Sequence, residues 1–208
     1  MSAVNETVAT TSSPELDTSA LKKFAQAARR QLMEQIESKL TLVLAENSLA
    51  RRENEEAVTE LEKEIAQSSA DETIERVAYT WFNRFCALRF MDANRYTRLG
   101  TVSPAEGFQQ PEILMDAKQG VIDDAWQADK EQVLGLLDHS LPSDAPEQEA
   151  YRILLVAVCN SYHKLMPFMF ERIADYTELL MPDDLLSDSS ILTATRQTLT
   201  PEACQSVE

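Results

Sequence analysis

Residues 76–98, RVAYTWFNRFCALRFMDANRYTR, hold five arginines and six aromatic residues in a chain whose formal net charge is −16. A guanidinium is a permanently charged, planar donor set that matches phosphate and carboxylate oxygens, while aromatic rings supply large packing faces. Two kinds of chemistry fit the pairing: a surface that touches an anion, or the packing of a buried helix. On a helix turning about 100° per residue, Ala78, Trp81, Phe82, Phe85, Cys86 and Leu88 share a broad apolar face. Arg76, Thr80, Asn83 and Arg84 share the opposite one. Arg89 falls among the apolar positions with Asp92 one turn on. The two are therefore expected to form a structural ion pair, since an isolated buried charge is prohibitively costly. Arg76, Arg84, Arg95 and Arg98 are the candidate anion contacts. If the helix runs on past Ala93, Arg84, Arg95 and Arg98 project within about 60° of one another. These arginines either bind an anion or meet acidic residues of the same chain.

Other chemistry has little support. The four glycines stand isolated, so no glycine-rich loop can bring backbone amides close to a phosphate. Neither histidine has a nucleophile beside it in a recognisable motif. Cys159 and His163 have the spacing of two metal ligands on one helix face, but no CxxC or second His pair completes a site. The pairs Asp123-Asp124 and Asp183-Asp184 follow Gly120 and Pro182, where helix N-termini favour negative charge. An N-P-P-Y type methyltransferase motif is absent. The chain reads as catalytically empty.

The elements that must carry these residues are helical. With 208 residues, 44% hydrophobic and 26% charged, the chain can bury one core. Few glycines and no β-branched alternation predict an all-α fold, a multi-helix bundle with a long N-terminal helix. Residues 1–17 read as a disordered arm and 18–208 as the helical domain. The long first helix spans about 18–46, with Leu21, Phe24, Ala28, Leu32, Ile36 and Leu40 at helical spacing. A charge-laced surface helix follows over 51–67, and Ser69-Ala70-Asp71-Glu72 is a capping box that starts the arginine helix. Ser103-Pro104-Ala105-Glu106 is expected to start a single helical turn. Helices are predicted over 111–118, 122–138, 147–166 and 168–180. Thr200-Pro201-Glu202 signals a further helix start, so residue 208 is expected to be a cut point.

Charge divides unevenly. Residues 1–100 hold 13 Lys+Arg against 16 Asp+Glu, a net of −3, and residues 101–208 hold 6 against 19, a net of −13. Phosphate contacts belong in the first half, and an acidic total does not favour non-specific nucleic-acid binding. The longest apolar run, Ile153–Cys159, falls far short of the roughly 20 residues of a membrane span. Three widely spaced cysteines suit reduced thiols in a cytoplasm.

Four strings, LKKFAQAARRQLMEQ (21–35), AYTWFNRFCALRFMD (78–92), QPEIL (110–114) and AVCNSYHKLMPFMFERI (157–173), resemble the N-terminal region of the PglX/BrxX family. These are the adenine-specific DNA methyltransferases of bacterial BREX phage-defence systems. The resemblance runs from about Leu21 to the last residue. It implies a much longer cytoplasmic enzyme that uses S-adenosylmethionine to methylate adenine N6, marks host DNA as self and takes part in excluding phage. The cofactor loop and catalytic motif would lie beyond residue 208. No catalytic residue carries over, and this chain would not itself bind S-adenosylmethionine. DNA and the methyltransferase domain are the implied partners, with other BREX components a further class. The alternatives are an interaction module that docks a defence component through its acidic half, and a purely structural helical domain.

Overall fold

The computed structural model describes residues 18–173 and 175–205; the expected N-terminal arm, 1–17, lies outside the described residues. Its elements are α1 (Thr18–Leu44), α2 (Leu49–Glu53), α3 (Glu55–Gln67), α4 (Ala70–Ala93), α5 (Glu112–Lys118), α6 (Lys130–Leu137), α7 (Pro146–His163), α8 (Asp175–Leu179), α9 (Ile191–Thr198) and α10 (Pro201–Gln205). The fold is all-α with a long first helix, as the composition implies. Among the described residues the only extended pairing is an isolated bridge between Pro104 and Pro111.

Helix α1 buries the stripe Ala28, Leu32, Ile36, Leu40 and Val43 and packs on α4 and α9. Spacings of three and four place those side chains on one face. Helix α4 starts at Ser69, whose hydroxyl accepts the Glu72 N–H as the capping box requires. It threads the middle of the core, with Trp81, Phe85 and Leu88 fully buried. Helix α7 opens with Pro146 in its first turn and buries Leu154, Leu155, Val158 and Cys159. Two long-range bonds tie the layers together: Trp81 Nε1 donates to Thr177 O at 3.1 Å, and Tyr151 Oη donates to Thr101 O at 2.9 Å. A buried indole or phenol is stable only with such a partner. No helix among the described residues is long and apolar enough to cross a membrane.

Several expected boundaries shift, most of them because a polar side chain takes over backbone groups. The 51–67 helix breaks at Asn54 into α2 and α3. The 122–138 helix divides into a 3-10 turn at Asp124–Trp126 and α6, because Asp123 accepts the Ala125 N–H while Asp129 accepts that of Gln132. Ser103–Glu106 is not helical: the Ser103 N–H goes to Asp92 and its carbonyl accepts the Glu112 N–H. Among the described residues of 168–180 only α8 is helical. The preceding strap is held by side chains instead: Asn160 accepts the Ile173 N–H, His163 Nδ1 donates to Phe170 O and Arg84 donates to Glu171 O. Asp183-Asp184 heads no helix; Asp183 pairs with Lys39 and Arg152, and Asp184 accepts the Ser187 N–H. The start signal at 200–202 does open α10, with Thr200 Oγ1 accepting the Ala203 N–H.

Candidate functional site

The arginines of 76–98 go to different places. Arg76 is on the surface of α4, its guanidinium 2.5 Å from the Glu64 carboxylate of α3. Arg84 is not on a free polar face: it is 3% exposed, lies 5.5 Å from the centre of the Trp81 ring and donates Nη2 to Glu171 O at 2.7 Å. Helical phase alone misplaced it because α4 is covered on more than one side. Its Nε and Nη1 have no protein partner, and burial pushes the guanidinium down from its ordinary value.

Arg89 and Asp92 are buried or nearly so, yet they do not form the expected ion pair. Arg89 donates Nε to Leu199 O at 2.7 Å and Nη1 to Ser103 Oγ at 2.8 Å. The Asp92 carboxylate instead accepts the backbone N–H groups of Thr101, Val102 and Ser103 at 2.9 to 3.0 Å. Three converging amides satisfy both carboxylate oxygens, so Asp92 meets its hydrogen-bonding needs without Arg89. Burial pushes the Asp92 carboxyl up from its ordinary value and these bonds pull it back in part. Ser103 thus bridges the two residues. The loop reaches Asp92 because Gly100 permits a turn in which any Cβ would collide with the Ser103 carbonyl.

Helix α4 ends between Ala93 and Arg95. Asn94 is the C-cap, the Tyr96 N–H reaches Met91 O at 2.9 Å and the Arg95 N–H reaches Asp92 O at 3.1 Å. That pattern is a Schellman motif, and it puts Arg95 in the left-handed region at φ 56°. Glycine is the usual occupant there, because a side chain costs about 1 kcal/mol. The chain turn redirects Arg95 and Arg98 away from Arg84, so the shared projection of the three does not exist.

Arg95 and Arg98 stand with Arg89 around a cleft of about 690 Å³ beyond the end of α4, walled also by Asp92, Ser103 and Glu112. Its two carboxylates are committed to backbone amides, Asp92 as above and Glu112 Oε2 to the Gly100 N–H at 2.8 Å. Arg98 is 73% exposed at its side chain and 4.0 Å from Asp123. Neither Arg89 nor Arg95 is in an ion pair among the described residues. Two guanidinium groups outside any ion pair among the described residues, with a third, Arg98, exposed and only loosely paired to Asp123, make this cleft the best-supported anion site in a chain of −16. Sequence reasoning found Arg95 and Arg98 but missed Ser103, Gly100 and Glu112, whose roles arise from a loop folding back on a helix end.

Nucleophilic chemistry is not supported at the cysteines. Burial pushes the Cys86 and Cys159 thiols up to about 12, so they stay protonated near neutral pH. His163 is engaged with Phe170 O rather than with Cys159, and no three His, Cys, Asp or Glu among the described residues are placed to hold a metal.

No family model matches the chain. It is 30% identical to the adenine-specific methyltransferase BrxX of Escherichia coli O9:H4 (strain HS) over 93% of its own length. It is 30% identical to the adenine-specific methyltransferase PglX of Lacticaseibacillus casei (strain Zhang) over 79%. The chain spans 18% and 16% of those two proteins. Along most of its length, then, this helical chain is similar to a limited part of two adenine-specific methyltransferases, BrxX and PglX.

Proposed function

We propose that the chain is the helical N-terminal part of a BREX-type, site-specific DNA adenine-N6 methyltransferase, supporting the catalytic part and touching DNA phosphate through Arg95 and Arg98. The similarity to BrxX over 93% of the chain carries the first half of this reading. Arg95, outside any ion pair among the described residues, and Arg98, exposed and 4.0 Å from its one acid partner Asp123, carry the second. In the longer protein S-adenosylmethionine supplies the methyl group, the setting is the cytoplasm, and the outcome is marking of host DNA and exclusion of phage. The residues in hand do none of that chemistry. Their part is to hold a rigid helix end against the acidic surroundings and present two guanidinium groups. Arg76 and Arg84 drop out of the contact set, the first spent on Glu64 and the second inside the core.

The test is a salt series of the affinity of the chain for a labelled DNA duplex, beginning at low ionic strength. Each phosphate contact contributes a slope of about −0.9 in log K against log salt. Arg95→Ala with Arg98→Ala should therefore flatten the slope by about 2. An unchanged slope returns both arginines to structural duty.

A second reading, a module that docks another part of the enzyme or a defence component, has one observation behind it. Leu165, Phe168 and Met169 are 76%, 81% and 42% exposed within one short strap. Weak duplex binding by the chain, with salt-sensitive association that is lost when acids after residue 120 are neutralised, would favour it.

A further inference from the structure

Two aromatic residues flank the cleft-lining arginines along the chain without lining the cleft themselves, Phe90 after Arg89 and Tyr96 after Arg95. Tyr96, directly between Arg95 and Thr97 of the cleft wall, is 68% exposed and Phe90 is 36% exposed. Their rings meet edge to face with centroids 6.1 Å apart. Part of that contact has a structural explanation, since a Schellman ending usually places an apolar residue after the turn against one in the last turns of the helix. The explanation covers one edge of Tyr96 and leaves most of the ring in water. A large aromatic ring kept exposed beside Arg95 and Arg98 combines a flat stacking face with two phosphate donors.

Duplex bases are stacked on one another and offer their faces to a side chain only at the cost of unstacking. An exposed ring therefore stacks most readily on a base that is already unpaired. We infer that the helix end formed by Phe90, Arg95, Tyr96 and Arg98 binds a nucleotide whose base is unpaired, with the base on Tyr96 and the phosphate on Arg95 and Arg98. This rests on the phosphate reading above and adds a preference for single strands to it. Of the nearby carboxylates, Asp92 and Glu112 are turned to backbone amides, and Asp123 is only loosely paired with Arg98 at 4.0 Å, so a phosphate can compete for that guanidinium.

The experiment compares the affinity of the 208-residue chain for a labelled oligothymidylate strand and for a duplex of equal length. Thymidine monophosphate is added as a competitor. The strand should bind about tenfold more tightly than the duplex, the size expected for one stacked base. Tyr96→Leu keeps an apolar partner for Phe90, so its melting temperature should stay unchanged while strand affinity falls about tenfold and duplex affinity holds. Tyr96→Phe should retain the preference. Competition by the mononucleotide would place recognition in a single nucleotide, and its failure would place it in a continuous strand; both uphold the inference. Equal affinity for strand and duplex, unmoved by Tyr96→Leu, overturns it. If Arg95→Ala with Arg98→Ala still flattens the salt slope in that case, the phosphate contact survives alone. No binding to either nucleic acid sinks both.

Discussion

Arg84 and Arg95 belong to one stretch of sequence and meet opposite ends. Arg84, in the body of α4, is 3% exposed beneath the strap before α8 and is in no ion pair among the described residues. Arg95, just past the C-cap, is exposed at the rim of a cleft and holds an unfavourable backbone conformation. The difference is not one of helical phase. What decides it is the position of the helix end and what the rest of the chain lays over the helix. A buried arginine here acts as packing, with the Trp81 ring on one side and a carbonyl on the other. An exposed one is available to a ligand because a Schellman turn and a carboxylate-centred loop hold it in place.

The sharpest way to break this contrast is at Asp92. If the exposed end of α4 is a built structure and not a frayed one, the acceptor at its centre is indispensable. Asp92→Ala strands three converging N–H groups and releases the 100–103 loop from α4. Unsatisfied buried donors cost about 1–3 kcal/mol each. A loss of about 3–5 kcal/mol in unfolding free energy by chemical denaturation is therefore expected, allowing for partial access of water. A loss under about 1 kcal/mol would mean that the loop stands without Asp92.

A smaller effect of opposite sign is expected at Arg84. A buried charge that lacks an acid partner is weak support for a fold, and an apolar side chain of similar length often does better. Arg84→Met keeps the contact with Trp81, and Glu171 is exposed, so its carbonyl can turn to water. Thermal unfolding should show a gain of about 1–2 kcal/mol with nucleic-acid affinity unchanged. Destabilisation would reveal that the guanidinium is better satisfied than its geometry suggests, and the contrast with Arg95 would weaken.

The parts of the molecule that were legible in the sequence are those decided locally. The apolar stripe of α1, the capping box of α4 and Pro146 at the head of α7 each signal a helix within a few residues. Illegible parts depend on partners far along the chain. The strap at 168–173 looks helical in isolation, but Asn160, His163 and Arg84 take its backbone groups. Arg89 and Asp92 have the spacing of an ion pair, but their partners are Ser103 and Leu199 for the first and the 101–103 amides for the second. The candidate site was half legible for the same reason: residue type singled out Arg95 and Arg98, while the cleft they border needs a loop that only tertiary structure folds back.

The smallest effect bears most directly on why an arginine occupies position 95. A left-handed residue with a side chain gives up about 1 kcal/mol that glycine would not, offset in part by the greater freedom of glycine in the unfolded chain. Arg95→Gly should therefore stabilise the protein by about 0.5 kcal/mol, measured as a shift in the denaturation midpoint with unchanged slope. The same variant removes one of the two exposed guanidinium groups of the rim, so the salt slope for nucleic acid should fall by about 1. Stability and binding then move in opposite directions on one substitution. That is the pattern of a position kept strained for contact with a ligand. If Arg95→Gly gains stability and leaves the salt slope untouched, the strain at position 95 serves no phosphate contact, and Arg98 alone remains at the mouth of the cleft.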